Sequence, residues 1–209
     1  MKPLLMKGPL VVRSLRGEKT ETRRIATPGE PCPYGQPGDR LWVRETWRPA
    51  VADIVCGYDF AADGLFVPHA DTAEAPELWA QRSAQRGGIE SWRPSIFMPR
   101  DICRLELEIV SVRCERLQDI TPDAVRAEGV ASLELGDLVT MGASWGKLKR
   151  EVIEMTGWSA PYPSIRLAKA CDGDLTLAWR VLWSAINAHR PGARWEDNPL
   201  VWVLGYRRV

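Results

Sequence analysis

A short segment near the start of the chain, residues 17–24, concentrates side chains that can act in catalysis. It reads Gly-Glu-Lys-Thr-Glu-Thr-Arg-Arg, so residues 19–24 supply one amine, two hydroxyls and two guanidinium groups. If the segment is extended, Lys19 and Glu21 point to one side of it, whereas Thr20, Thr22 and Arg24 point to the other. This set suits either acyl transfer or contact with a phosphodiester. The pattern taken alone is also typical of a solvated strand edge with solubilising charges.

The same segment resembles the signature of the ASCH-domain family, which is Gly-x-Lys-Thr-x-Thr-x-Arg following a short N-terminal helix. The matching residues are Gly17, Lys19, Thr20, Thr22 and Arg24. The resemblance implies the fold of that family, a PUA-like mixed β-barrel of the α+β class with short helices.

Further segments resemble the same family and bring the similarity to about half of the chain. They are a Gly-Asp turn into a strand at 38–41, a Leu-rich link and short helix at 117–128, and a closing strand at 201–208. The stretch 32–45 is similar to the phage and prophage branch. Two insertions, at about 50–100 and 131–172, have no counterpart in the family pattern.

Among ASCH proteins, the bacterial 4-N-acetylcytidine amidohydrolases use a Lys, a Thr and a Glu to remove the acetyl group. Carried over motif by motif, these residues are Lys19, Thr22 and Glu128. Glu128 follows Thr121 at the family's spacing, which favours it over Glu115 or Glu134. The resemblance implies an amidohydrolase without metal or cofactor that converts 4-N-acetylcytidine to cytidine and acetate.

These residue types fit the chemistry of amide hydrolysis, which needs an oxygen nucleophile, oxyanion stabilisation and a proton for the departing amine. Thr22 can attack or position a water molecule. Lys19 is a base if its pKa is depressed from about 10.4, and stabilises the oxyanion if it stays charged. Glu128 can hold Lys19 or carry the proton. The sequence leaves these assignments open.

Five further residues are candidates for binding the substrate. Arg23 and Arg24 lie within the motif. Arg44 and Glu45 alternate in the following strand, so that one of them faces a pocket and contacts the substrate, or the position holds an ordinary ion pair. Trp42 is more typical of a core residue than of a platform for a base. Residues 1–50 carry ten Lys and Arg against five Asp and Glu, which indicates a ligand bearing phosphate near the motif.

Composition excludes several classes of protein. The 209 residues carry a formal net charge of +1, which excludes a histone-like polyanion binder. The apolar runs are too short for a membrane span and the first residues lack a signal-peptide pattern, so we expect a cytoplasmic protein without a membrane partner. The five scattered cysteines with two histidines favour free thiols over a zinc site.

The length of the chain is typical of a single domain, which we place at residues 1–209.

The local patterns predict the elements that would position these residues. A helix is expected at Pro9 to Arg16, ahead of Gly17, and a second at 122–128, between the cap Thr121 and the stop Gly129. A third helix is expected after Asp174, with an apolar face made of Leu175, Trp179, Leu182, Trp183 and Ile186. Strands are expected at Asp39 to Trp47, Cys103 to Ile109 and Val201 to Tyr206. The insertion at 50–100 has no period and is expected to be irregular, while the one at 131–172 is expected to hold a helix along Leu148, Val152 and Met155.

Three functional readings remain open. The first is the amidohydrolase, the second a module that binds RNA or a modified nucleobase without turnover, and the third a ribonuclease. A carboxylate at a helix C-terminus is disfavoured by the helix dipole, so Glu128 is expected within about 4 Å of a Lys or Arg nitrogen. Lys19 is the expected cation, with Arg24 or Arg44 as substitutes. Since a lysine just past a helix end seldom packs in the core, Lys19→Ala is expected to cost under about 1 kcal/mol. At least one insertion is expected to cap the pocket, and the oligomeric state is not readable.

Overall fold

The structure, a computed structural model, describes residues 1–52, 55–68, 91–157, 162–187 and 189–209. It is an α+β arrangement with two sheets and short helices. In chain order the strands are β1 (Lys2–Leu5), β2 (Glu21–Ile25), β3 (Arg40–Arg44), β4 (Trp47–Ala52), β5 (Val55–Phe60), β6 (Phe66–Pro68), β7 (Glu106–Arg116) and β8 (Leu200–Arg208). The α-helices are α1 (Gly8–Leu15), α2 (Pro122–Ala127), α3 (Leu135–Thr140), α4 (Trp145–Thr156), α5 (Leu167–Ala170) and α6 (Leu175–Asn187).

The larger sheet has five strands in the order β1, β3, β7, β8, β2. β1 runs parallel to β3, and the other neighbours are antiparallel. The strands at its two edges, β1 and β2, are therefore the ones that flank the N-terminal helix α1 in sequence. A side chain joins these edges, because Arg24 Nη2 on β2 donates a hydrogen bond of 2.7 Å to the Leu5 carbonyl at the end of β1.

The main core lies between this sheet and the helices, and the alternation in β7 explains how. Leu105, Leu107 and Ile109 are all buried at 1% exposure or less, as their period-two spacing predicts. They pack with the apolar face of α6, including Trp179 and Leu182, in one continuous cluster. The strand itself runs from 106 to 116, beginning later and extending further than the predicted Cys103 to Ile109.

The helices predicted from capping signals are confirmed. α1 has its proline in the first turn, and Gly17 follows it at φ +75°. α2 is capped by Thr121, whose side chain accepts a hydrogen bond from the Ala124 N–H at 3.3 Å. Gly129 takes the left-handed conformation, φ +78°, that ends the helix. α6 spans Leu175–Asn187, and the closing strand begins one residue before the expected one.

The predicted strand at 39–47 is wrong in its extent, because the chain leaves the larger sheet at Arg44 and enters a second sheet at Trp47. The expectation that residues from 50 onward are irregular is also wrong over 50–52, 55–60 and 66–68. Here β4, β5 and β6 form an antiparallel three-stranded sheet. Pro49 lies on the edge strand β4, where a missing N–H is tolerated. Gly57 on β5 is required, since an added Cβ would lie 2.4 Å from the Val67 carbonyl oxygen.

The rest of the first insertion includes residues 69–90, which lie outside the described part of the chain. In the second insertion the expected helix is present as α4, with Leu148 and Val152 buried. It is accompanied by α3 and α5. No helix among the described residues is both long and apolar enough to cross a membrane.

Candidate functional site

A cavity of about 610 Å³ lies where the two edges of the larger sheet meet the helices. Its wall combines the end of β1, the first turn of α1, most of β2, the residue after α2, and one face of α6. The volume is within the range of small-molecule sites in proteins. Of the three carried-over catalytic residues, Thr22 and Glu128 line this cavity.

The backbone brings Glu128 and Lys19 together across more than a hundred residues of sequence. The Thr20 N–H donates to the Ala127 carbonyl at 2.7 Å, which fixes the end of α2 against the start of β2. Gly129 then passes close to the same segment, and a Cβ there would lie 3.0 Å from the Lys19 Cβ. A glycine is required at this position both for its positive φ and for this approach.

Lys19 and Glu128 form a buried ion pair. The Lys19 Nζ contacts the Glu128 carboxylate, and the side chains of the two residues are 0% and 3% exposed. The same nitrogen also donates to the Glu21 carbonyl at 2.5 Å and to the Glu128 carbonyl at 3.3 Å. Lys19 therefore lies behind Glu128. The premise that Lys19 is not a packing residue is wrong, because it is among the largest fully buried side chains.

The electrostatics of Lys19 are a balance of opposed effects. Burial lowers the pKa of its ammonium below the usual 10.5, and the charge and hydrogen bond of Glu128 act in the opposite direction. Arg24 and Arg23 then lower the pKa further by charge repulsion. Since three oxygens surround Nζ, the ammonium form can donate to all of them, whereas the neutral amine cannot.

Arg23 is a second cation on the same carboxylate. Its Nη1 lies 3.1 Å from Glu128 Oε1, while its Nη2 lies 2.7 Å from Glu115 Oε1. Its guanidinium also lies over the ring of Trp179, 5.8 Å from the centroid. The sequence reasoning placed Arg23 at the substrate. In the structure it lines the cavity and also holds Glu128. The expected cation at the helix end, Lys19, is therefore confirmed, and the second cation is Arg23 where Arg24 or Arg44 was expected.

Thr22 and Arg24 form the other side of the motif. Thr22 is 2% exposed, and its Oγ1 accepts a hydrogen bond of 2.6 Å from Arg24 Nη1. Because the guanidinium donates, the Thr22 hydroxyl keeps its own proton for another acceptor, and a positive charge beside the oxygen favours its deprotonated form. Within the motif, Lys19 and Arg23 contact Glu128, while Thr22 and Arg24 contact each other.

The remaining sequence candidates divide between the cavity and the second sheet. Arg44 lines the cavity and donates to the Ile96 carbonyl. Glu45 is 1% exposed and makes a two-pronged ion pair with Arg104, at 2.8 and 2.7 Å. Burial raises the pKa of Glu45, and the hydrogen bond and charge of Arg104 only partly offset this. Arg44 thus faces the cavity, whereas Glu45 forms an ordinary ion pair with Arg104. Trp42 is buried in the cluster beneath the second sheet.

Several cavity residues were not singled out by the sequence reasoning. Trp179 and Trp183 of α6 line the wall, although their spacing predicted only a core-facing helix. Two further cations line it as well: Lys7, just before α1, and Arg190, shortly after the end of α6. The abundance of tryptophan, ten residues in the chain, was the one available signal for an aromatic wall.

Among the described residues, no group of three His, Cys, Asp or Glu side chains is arranged to hold a metal ion. No family model matches the sequence, and no curated protein or solved structure matches the chain.

Proposed function

We propose that this chain is a PUA-like ASCH domain, and that its cavity hydrolyses the acyl amide on the exocyclic amine of a modified cytidine. The observation that carries the proposal is the buried Glu128 carboxylate, fixed by Lys19 and Arg23 and exposed to the same cavity as Thr22. The resemblance of the motif indicates Lys19, Thr22 and Glu128 as the set of residues that acts on the amide. The five-stranded sheet is open, since its edge strands β1 and β2 do not pair with each other, and the Arg24 hydrogen bond between those edges is the contact in favour of a barrel.

In the proposed mechanism the Thr22 hydroxyl either attacks the amide carbonyl itself or orients a water molecule that attacks it. Arg24, which donates to Thr22 Oγ1 at 2.6 Å, favours the deprotonated oxygen and the oxyanion that forms next to it. Attack yields a tetrahedral intermediate, and cleavage of its C–N bond releases the acyl group and the cytosine amine. If Thr22 itself attacks, a water molecule then hydrolyses the acyl ester.

Glu128 carries the proton in this mechanism. Its carboxylate accepts the proton of the attacking hydroxyl or water and returns it to the leaving amine. Lys19 and Arg23 hold the carboxylate in place between turnovers. Lys19 is thus a positioning residue, because its ammonium is fully buried behind the carboxylate.

The test is a parallel incubation of the purified protein with 4-N-acetylcytidine and with single-stranded RNA, followed by chromatography of both. We expect cytidine and acetate from the nucleoside and intact RNA. Glu128→Gln should lower the rate by about a hundredfold or more, the usual contribution of a general acid and base. The matched control is Glu30→Gln, at an exposed position in the loop after β2.

The other outcomes identify the rival functions. Cleavage of the RNA by the wild-type protein would support a ribonuclease. Binding of either compound without product, by a protein shown to be folded, would support a recognition module that has no turnover. Equal losses of activity in Glu128→Gln and Glu30→Gln would remove Glu128 from the mechanism.

A further inference from the structure

The cavity wall is strongly cationic. Five cationic side chains line it, and Glu128 is its one carboxylate within the described part of the chain; the cations are Lys7, Arg23, Arg24, Arg44 and Arg190. Arg23 is neutralised by Glu115 and Glu128. The other four make no ion pair with any described carboxylate. An unpaired excess of this size in a concave site attracts an anion.

Three of these cations, Lys7, Arg24 and Arg44, lie near the end of β1. Arg44 is the register partner of Leu5 in the parallel pair of β1 with β3. Arg24 reaches the Leu5 carbonyl from the opposite edge strand, at 2.7 Å. Lys7 follows two residues later in the chain. We call Lys7, Arg24 and Arg44 the basic corner of the cavity.

The start of α1 lies at the same corner. Lys7 occupies the N-cap position, and neither a capping side chain nor an acid in the first turn is present among the described residues. Both Lys7 and Gly8 line the cavity. A lysine is an unfavourable residue at the positive end of a helix dipole, where acceptors and acids are preferred. A bound anion would satisfy both the helix end and the lysine.

Arg44 adds an unsatisfied donor. Its Nε is buried and has no hydrogen-bond partner among the described residues, although its Nη2 donates to the Ile96 carbonyl. Leaving a buried guanidinium N–H unpaired is costly. Two hydroxyl residues, Thr46 and Ser95, line the cavity beside the segment that Arg44 contacts. They are additional donors for an oxyanion.

We propose that the substrate carries a phosphate group, which the basic corner binds while the base is presented to Thr22 and Glu128. This inference rests on the proposed function for the identity of the base, but its evidence is the charge of the cavity. The ligand is a modified cytidine nucleotide or a nucleic-acid strand that contains one. A free nucleoside leaves the four cations without an anionic partner.

The experiment measures binding, which does not depend on turnover. Isothermal titration compares cytidine, cytidine 5′-monophosphate and a short single-stranded oligocytidine on the intact protein at low salt. We expect the monophosphate to bind about tenfold or more tightly than cytidine, as charge-assisted hydrogen bonds to a phosphate provide. The ratio of the two dissociation constants should fall to about threefold or less in Lys7→Gln and in Arg44→Gln.

Lys149→Gln is the matched control, because Lys149 is an exposed lysine on α4 away from the cavity wall. It should retain the wild-type ratio. If Arg44→Gln does not fold, Lys7→Gln alone tests the proposal, since Lys7 is exposed. Tighter binding of the oligocytidine than of the monophosphate would identify a strand as the source of the phosphate, and the reverse would identify a free nucleotide.

Equal affinities for cytidine and its monophosphate would overturn the inference, as would a ratio that falls equally in Lys149→Gln. These results are separable from a failure of the proposed function. A phosphate preference that depends on Lys7, in a protein that releases no acetate, would preserve the basic corner and remove the amidohydrolase. Acetate release with no preference for the monophosphate would preserve the amidohydrolase and remove the phosphate-binding role of the basic corner.

Discussion

Replacing Lys19 by methionine tests how the buried ion pair contributes to the fold. The substitution keeps the length and apolar stem of the side chain but removes the ammonium that contacts three oxygens of Glu21 and Glu128. Removing one partner of a buried ion pair costs about 3–5 kcal/mol, because the other charge stays buried. Arg23 still lies 3.1 Å from the carboxylate, so we expect the low end, about 3 kcal/mol.

The assay is urea unfolding followed by tryptophan fluorescence. Lys149→Met, at an exposed lysine, is the control and should change the free energy of unfolding by less than about 0.5 kcal/mol. The double variant Lys19→Met with Glu128→Leu should recover about 1 kcal/mol or more of the loss, since no unpaired carboxylate remains. A loss of under about 1 kcal/mol in Lys19→Met would refute this reasoning and restore the expectation drawn from the sequence.

Three further predictions concern pH, the close approach at the helix end, and metal. Burial raises the pKa of Glu115, but the hydrogen bond and charge of Arg23, with those of a second arginine, outweigh it and hold the pKa below 4.5. The stability that Glu115 contributes is therefore present above about pH 4.5 and lost in more acidic solution. Acidification should lower the free energy of unfolding of the wild type more than that of Glu115→Gln, and equal decreases in the two proteins would contradict this. Gly129→Ala should cost about 3 kcal/mol in urea unfolding because of its positive φ and its contact with Lys19. Gly157→Ala, at φ +69° with no described neighbour within 4 Å, should cost about 1 kcal/mol, and equal costs would show that the contact is relieved. Acetate release should be unaffected by a chelator, because the proposed proton transfer and attack use side chains alone, and a loss of activity restored by zinc would require a different mechanism.

The parts of the fold that the sequence predicts are those set by local signals. Thr121 and Gly129 define both ends of α2 because capping and a left-handed stop are properties of single residues. The alternation of Leu105 to Ile109 identifies the buried face of β7 because one side of that strand faces the core. Each of these signals is read within fewer than ten residues.

The second sheet is hidden for the opposite reason. Pro49 and Gly57 are poor strand residues, and each is tolerated only because of its tertiary place, one at an edge and the other under the Val67 carbonyl. No local pattern reveals such places. Strand ends are equally nonlocal, since the break after Arg44 reflects where the chain passes from one sheet to the other.

The candidate site shows the same division. The motif and the spacing after Thr121 indicate Lys19, Thr22 and Glu128, and the contact of Lys19 with Glu128 is a long-range pairing that only the resemblance suggested. The double contact of Arg23 and the basic corner depend on how β1, β2 and α2 come together. The spacing of residues in the sequence contains no information on how these elements are placed relative to one another.

The central claim is that Thr22 and Glu128 hydrolyse the amide of an acylated cytidine, and the most direct test is the fate of the water oxygen. The wild-type protein is incubated with 4-N-acetylcytidine in water enriched in the heavy oxygen isotope, and the products are analysed by mass spectrometry. We expect equal amounts of labelled acetate and unlabelled cytidine from the wild type, and product formation about a hundredfold or more slower in Glu128→Gln. Labelled uridine, or no product from a protein shown to be folded, would contradict it.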